Sequence, residues 1–244
     1  MNYPRIYYKK KINIFSNIEI TDTFNCHYLK NVLRIKYKDI IIIFNNEPID
    51  FYTKVIKINS IITLKVIKLK NNNNISPLYI HLAQVISLNK KKMNLIIQKS
   101  TELGVKEITP IYLLNKNTKI NFIKNKIIEK WKKIIISACQ QCRRNNLPII
   151  NQPTELNNWF IDIKNKKEKK IIFHTNANKK IKDITCKIKN IIILMGYEKG
   201  FSNEEIQSAM KNNFHVFSLG ERILKMETAT IAAISILQSK YGDI

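Results

Sequence analysis

From residue 5 to residue 69 the apolar positions come in short runs, several of them alternating with polar ones: "RIYY" at 5–8, "DIIIIFN" at 39–45, "IDFYTKVIKI" at 49–58 and "IITLKVIKL" at 61–69. Turn-forming pairs, Asn45-Asn46 and Asn59-Ser60, separate them. A period of two broken by such turns predicts strands, and their number and length suit a small β-barrel. After the asparagine-rich seam "KNNNNISP" the rhythm changes. Strands are expected at 78–87, 106–112, 170–174, 191–195 and 214–218, alternating with helices at 90–103, 124–145, 203–212 and 227–240. The first of these helices repeats apolar residues at Met93, Ile96, Ile97 and Leu103, and Gly104 follows where a C-terminal cap belongs. Ser202 and Glu205 form a capping box ahead of the third. The pattern therefore predicts two domains, 1–72 and 73–244, the second an α/β domain with a mostly parallel sheet.

Composition adds a partner. There are 42 Lys and Arg against 18 Asp and Glu, a formal charge of +24, which points to a polyanion such as nucleic acid. Nearly all of that charge is lysine, which belongs to a general bias toward Lys, Asn and Ile. Against such a background the rare arginines, Arg5, Arg34, Arg143, Arg144 and Arg222, and the glycines at 104, 196, 200 and 220 stand out. The N-terminal "MNYPRIYYKKK" has no apolar core of a leader, and the longest aliphatic run, 40–44, is too short to span a bilayer, so a cytoplasmic protein without membrane attachment is expected. Cys26, Cys139, Cys142 and Cys186 then argue against a disulfide framework. Cys139 and Cys142 stand one helical turn apart with no second pair and no nearby histidine, which reads as packing rather than a metal site.

Three chemically distinctive segments fall at strand ends, where sites of parallel sheets gather: "FHTNA" at 173–177, "MGYEKGFSNEE" at 195–205 and "SLGERILKMETA" at 218–229. Glycine turns and helix starts expose unpaired backbone N–H groups to a ligand. The glycine spacing is neither that of a dinucleotide fold nor that of a P-loop.

Several ordered motifs together carry a resemblance. "PRIYY", "HYLKNVLRIKYKD", "KKMNLIIQKSTELGVKEITPIY", "WKKIIISACQQCRRNNLPII", "GYEKGFSNEE" and "LGERILKMETA" resemble, in order, the motifs of the ribosomal small-subunit methyltransferase E family of the SPOUT superfamily. The resemblance runs over essentially the whole chain. It implies an N-terminal PUA-like β-barrel that binds RNA and a C-terminal α/β domain closed by a trefoil knot. The implied reaction is S-adenosylmethionine-dependent methylation of N3 of uridine 1498 in 16S rRNA of the 30S subunit, by a homodimer and without a metal. The apolar residues Ile231, Ile234, Ile236 and Leu237 of the last helix would leave a spare face for the second copy.

The same resemblance assigns the cofactor to His174, Thr175 and Ala177, to Gly196, Glu198 and Gly200, and to Leu219, Gly220, Ile223, Leu224 and Thr228. Methylating an imide nitrogen requires loss of its proton and stabilisation of the resulting anion, a task for cations and aligned donors. Arg222 and Lys225 are the candidates for the uracil anion or a neighbouring phosphate, with Arg144 next; Arg5 and Arg34 are the expected phosphate contacts of the barrel. Glu198 and Glu227 could orient those cations or take a proton, and Glu227 equally suits the start of a helix. The chain departs from the family at Tyr197, Lys199, Lys225, Met226 and Gln140, which stand for Pro, Gly, Arg, Thr and Glu. If position 199 needs a positive φ, Lys199 is strained by about 1 kcal/mol or more. Such departures keep two other readings open: a knotted rRNA-binding protein with weakened or lost catalysis, and a SPOUT methyltransferase with another RNA target.

Overall fold

The computed structural model describes residues 3–113, 124–185 and 187–244. Cys186 lies outside them. The described chain forms two compact units, one of residues 3–75 with Cys139–Leu147 and one holding the rest.

The first unit is built on five strands: β1 (Arg5–Tyr7), β2 (Asn17–Ile20), β3 (Ile40–Phe44), β4 (Ile49–Ile58) and β5 (Ile62–Asn71). They form one sheet in the order β1-β3-β4-β5-β2, with β1 parallel to β3 and the other pairs antiparallel. Alternation along β4 puts Phe51 and Val55 into a core with Ile6, Ile41, Ile43 and Leu64. A short helix, α1 (Thr23–His27), and a π-helical turn at Tyr28–Val32 follow β2, and Leu29 closes onto the same core. Neither β2 nor α1 is expected from the sequence.

Arg5 and Arg144 are buried, 7% and 5% exposed, which corrects the expectation of Arg5 as a phosphate contact and of Arg144 as a cation for the uracil anion or a neighbouring phosphate. Arg5 Nη1 donates to both carboxylate oxygens of Asp50 at 2.9 Å, and its Nη2 donates to Asn145 Oδ1 at 2.5 Å. Asn145 in turn donates to the carbonyls of Glu47 and Ile49. A buried guanidinium with its charge so compensated fixes the loop between β3 and β4; it is not available to solvent. Arg34 is exposed, with a left-handed φ of 51°. Arg34→Ala is therefore expected to leave the fold intact and to lower the salt slope of RNA binding by about one phosphate contact, read from binding isotherms at several salt concentrations.

The second unit is a parallel sheet flanked by helices. Its elements are β6 (Tyr79–Val85), α2 (Lys90–Glu102), β7 (Glu107–Tyr112), α3 (Lys124–Cys142), β8 (Ile149–Ile150), β9 (Thr154–Glu155), α4 (Leu156–Asp162), β10 (Lys169–Phe173), β11 (Asn190–Met195), α5 (Asn203–Lys211), β12 (His215–Phe217) and α6 (Met226–Tyr241). The order is β12-β10-β11-β6-β7-β8, with β9 also on β7, and every pair is parallel. Near-continuous apolar runs such as "NIIILM" in β11 fit a sheet covered on both faces. The registers Phe173↔Phe217, Ile172↔Leu194 and Met195↔Gln84 bring the C-terminal ends of four strands to one edge. α3 begins in this unit, while its last turn, Cys139 to Cys142, belongs to the first. Cys139 is buried there, and burial pushes its thiol pKa up to about 12, as suits an unreactive packing residue.

α6 carries apolar residues on more than one side. Ile234 and Leu237 are buried within the chain itself, so they are not the spare face expected of them; Ile231 and Ile236 are half-buried. Gln238 in the same helix is also buried, accepting from Ser76 Oγ and donating to the Leu103 carbonyl, both at 2.7 Å. Gly104 has φ +83°, and a Cβ there would stand 2.6 Å from Gln238 Nε2. The glycine thus both ends α2 and makes room for Gln238. Among the described residues no helix is long and apolar enough to cross a membrane, and no group of three His, Cys, Asp or Glu could hold a metal ion.

Candidate active site

Three loops leave the common edge of the sheet after β10, β11 and β12, and together they enclose a cavity of about 530 Å3. A larger recess, about 790 Å3, lies at the opposite ends of these strands, but its walls are polar, mostly lysine and asparagine with Glu168 and His215, and Ile188 is the one aliphatic residue. Ligand sites of small molecules are mostly apolar with a few convergent polar groups, and the 530 Å3 cavity has that character.

The first and third loops are knitted together by backbone. His174 N donates to Phe217 O at 2.9 Å, Ser218 N to Lys179 O at 2.8 Å, and Ile181 N to Ser218 O at 3.0 Å. Lys180 and Glu221 pair across them at 2.5 Å. His174 and Thr175 line the cavity from the first loop. Ala177 does not line it; its N–H closes the turn onto the His174 carbonyl.

The second loop turns at Tyr197–Gly200, where Gly200 N donates to Tyr197 O at 2.9 Å. Ser202 then starts α5 with the expected capping box: its Oγ accepts from Glu205 N, and Glu205 Oε2 accepts from Ser202 N. Gly200 carries the positive φ of this turn, +68°, and Lys199 is not in the left-handed region, so the strain considered for Lys199 is absent. Gly196 packs closely, since a Cβ would meet the Phe201 ring at 3.2 Å. Its carbonyl accepts from the amide of Gln84, a fully buried residue of β6, at 3.0 Å. Gln84 Oε1 accepts from Thr230 Oγ1 of α6 at 2.8 Å. One amide thereby ties the second loop to the helix that follows the third.

The third loop supplies Leu219, Gly220, Arg222, Ile223, Leu224 and Lys225 to the cavity. Gly220 adopts φ +126°. Arg222 and Lys225 are exposed at the rim, and Ile223 is 86% exposed. Lys225 is the N-cap of α6, and Met226 turns inward. Thr228 is exposed and outside the lining.

Glu198 is oriented by Ser87 and by Lys92, a residue of the "KKMNLIIQKSTELGVKEITPIY" segment that its motif does not single out. Its Oε1 accepts from Ser87 Oγ at 2.5 Å and from Lys92 Nζ at 3.3 Å. Partial burial opposes ionisation, but the Ser87 bond, a backbone N–H and the Lys92 ammonium outweigh it and hold the carboxyl below the usual range. Glu198 is thus an ionised acceptor at neutral pH, and the cation it orients is Lys92, not Arg222 or Lys225 as the sequence suggests. Besides Lys92, sequence reasoning misses Phe173, Met195 and Ala229 in the wall. The first two are the terminal residues of β10 and β11, and strand ends were the available signal.

The parallel α/β unit with its glycine-bounded site at the strand ends is matched over residues 74–238 by the family model of an RNA methyltransferase domain. The chain is 44% identical to the ribosomal RNA small subunit methyltransferase E of Buchnera aphidicola subsp. Acyrthosiphon pisum, covering 98% of this chain and 94% of the relative. Among solved structures, a methyltransferase from Legionella pneumophila in complex with bound SAM superposes with a TM-score of 0.93 at 32% identity over all of both chains. The ribosomal RNA small subunit methyltransferase E of Neisseria gonorrhoeae, bound to S-adenosyl methionine, does so with 0.90 at 28%, again over all of both chains. The chain belongs to the ribosomal RNA small subunit methyltransferase E family.

Proposed function

We propose that this protein transfers a methyl group from S-adenosylmethionine to N3 of uridine 1498 in 16S rRNA within the 30S subunit, in the cytoplasm. The observation that carries the reading is the convergence of three strand-end loops on one cavity that combines an apolar wall, an ionised carboxylate and rim cations. The cavity volume suits a nucleoside-sized ligand, and the Legionella and Neisseria relatives bind the same cofactor. A SPOUT knot in the second unit, a PUA-like RNA-binding role for the first and a two-fold homodimer complete this reading, supported by likeness over the full chain to the Neisseria enzyme.

Bound in the cavity, the cofactor supplies a methyl group already activated by its sulfonium. His174, Thr175, Gly196, Gly200, Leu219, Gly220, Ile223 and Leu224 hold it, largely through backbone groups of the three loops. Arg222 and Lys225 face the solvent side, where the RNA enters. Their charge offsets the negative charge that spreads onto O2 and O4 of the uracil as N3 loses its proton to solvent water at the open rim. Ionised Glu198 stays hydrogen-bonded to Ser87 and Lys92 within the protein.

Mass mapping of N3-methyluridine in 16S rRNA, with and without the protein, tests the reading; RNA that gains no mark at that position, or gains it elsewhere, would overturn it. Arg222→Ala is expected to slow transfer by about a hundredfold or more, as for loss of one donor to a developing anion, with cofactor affinity by calorimetry little changed. Chelator is expected to leave the rate unaltered, and recovery on adding a divalent ion would contradict the metal-free mechanism.

A further inference from the structure

We infer that Lys92 is a positioning residue of the methyl-transfer site, the cation that joins the second loop to the start of α6; the inference rests on the methyltransferase reading. Lys92 stands in the first turn of α2 and lines the cavity. Its Nζ is 3.3 Å from Glu198 Oε1 and 3.8 Å from Glu227 Oε2. Three separate parts of the chain therefore meet at one ammonium group: a helix start after β6, the loop after β11 and the first turn of α6.

The two carboxylates need it for different reasons. Glu198 has Ser87 as a second donor. Glu227 Oε2 is buried and has no hydrogen-bond partner among the described residues, which leaves the Lys92 charge and the N-terminal dipole of α6 to compensate it. Without Lys92, like charges on two elements of the site would face one cavity rim with less to hold them. An exposed ion pair would be worth little. This one is different, because the Lys92 side chain is 28% exposed and the Glu227 side chain 17%, and each partner is covalently continuous with a cavity wall. Lys92 is thus committed to the protein, while Arg222 and Lys225 extend into solvent.

The test compares the wild-type full chain with Lys92→Gln and Lys92→Arg, measuring thermal unfolding, cofactor affinity by calorimetry and methyl transfer to 30S subunits across a pH series. Lys92→Gln is expected to lower kcat by about tenfold to a hundredfold, the range for losing one charged hydrogen-bond partner. It should also move the acid limb of the rate upward, because the Glu198 carboxyl loses a hydrogen bond and a charge that keep it low. Lys92→Arg should restore most of the rate and the acid limb. Adding Glu198→Gln to Lys92→Gln should cost little more, since the two act through one contact.

A folded Lys92→Gln with the wild-type rate and acid limb overturns the assignment while leaving the methyltransferase reading intact. If the wild-type protein transfers no methyl group, both fall. Should Lys92→Gln fail to fold, Lys92→Arg decides: a rate and acid limb near wild type support the role, and a folded but slow Lys92→Arg refutes positioning by charge.

Discussion

Gln84→Leu is expected to destabilise the protein by about 1–3 kcal/mol, the cost of leaving a buried polar group without its partner. The replaced amide donates to the Gly196 carbonyl at 3.0 Å and to the Val85 carbonyl at 3.1 Å, and it accepts from Thr230 Oγ1 at 2.8 Å. Leucine fills similar space but satisfies none of these. Thr230 keeps a bond to the Met226 carbonyl, so the second loop loses most. With the Gly196 carbonyl released, the turn at Tyr197–Gly200 can shift relative to α6, and cofactor affinity should fall by about tenfold, or about 1.4 kcal/mol. Urea unfolding and calorimetry on one preparation separate the two effects. Unaltered affinity in a destabilised variant would mean that the turn is held by its own backbone and the Phe201 packing.

Between pH 6.5 and about 4 the fold is expected to lose about 3 kcal/mol through one buried histidine. His81 in β6 is 2% exposed; its Nε2 lies 2.7 Å from Thr109 Oγ1, and its Nδ1 has no hydrogen-bond partner among the described residues. Burial pushes its pKa down from 6.5 to about 4, outweighing the attraction of Glu107 3.6 Å away. In this window the unfolded chain binds a proton that the folded one refuses. The contribution is therefore complete above 6.5 and lost as pH falls through about 4. His81→Gln should flatten this part of the curve of unfolding free energy against pH. Parallel curves for the two proteins would show that other groups govern acid unfolding.

Periodicity made the long elements legible. β4 at Ile49–Ile58 has the bounds its alternation predicts, and "NIIILM" in β11 announces a buried parallel strand. Two-residue strands such as β8 and β9 have no period to detect. α4, Leu156–Asp162, is too short for one, although its Trp159 and Phe160 enter the core. The three site loops were visible because glycine and strand-end chemistry stand out from the background. Lys92 was not, because in a chain so rich in lysine another lysine carries no contrast. Gln84 reads as a stray polar residue in an apolar strand, and its site partners Gly196 and Thr230 lie more than a hundred residues away. Rarity misled in one respect. Arg5 stands out as a phosphate contact and Arg144 as a cation for the uracil anion or a phosphate, yet both are buried, and arginine, as Arg5 shows, also serves where a buried charge must meet several acceptors at once.

The first unit is discontinuous in sequence, since it takes in Cys139–Leu147 as well as the N-terminal strands. A fragment cut after residue 75 would keep Arg5 and Asp50 but lack Asn145, which bonds Arg5 and the carbonyls of Glu47 and Ile49. The chain passes from one unit to the other three times, so no single cleavage yields two complete pieces. Dissection of the protein into independently expressed halves, or grafting of its N-terminal strands onto another enzyme, would have to carry the 139–147 segment along by circular permutation or as a second peptide.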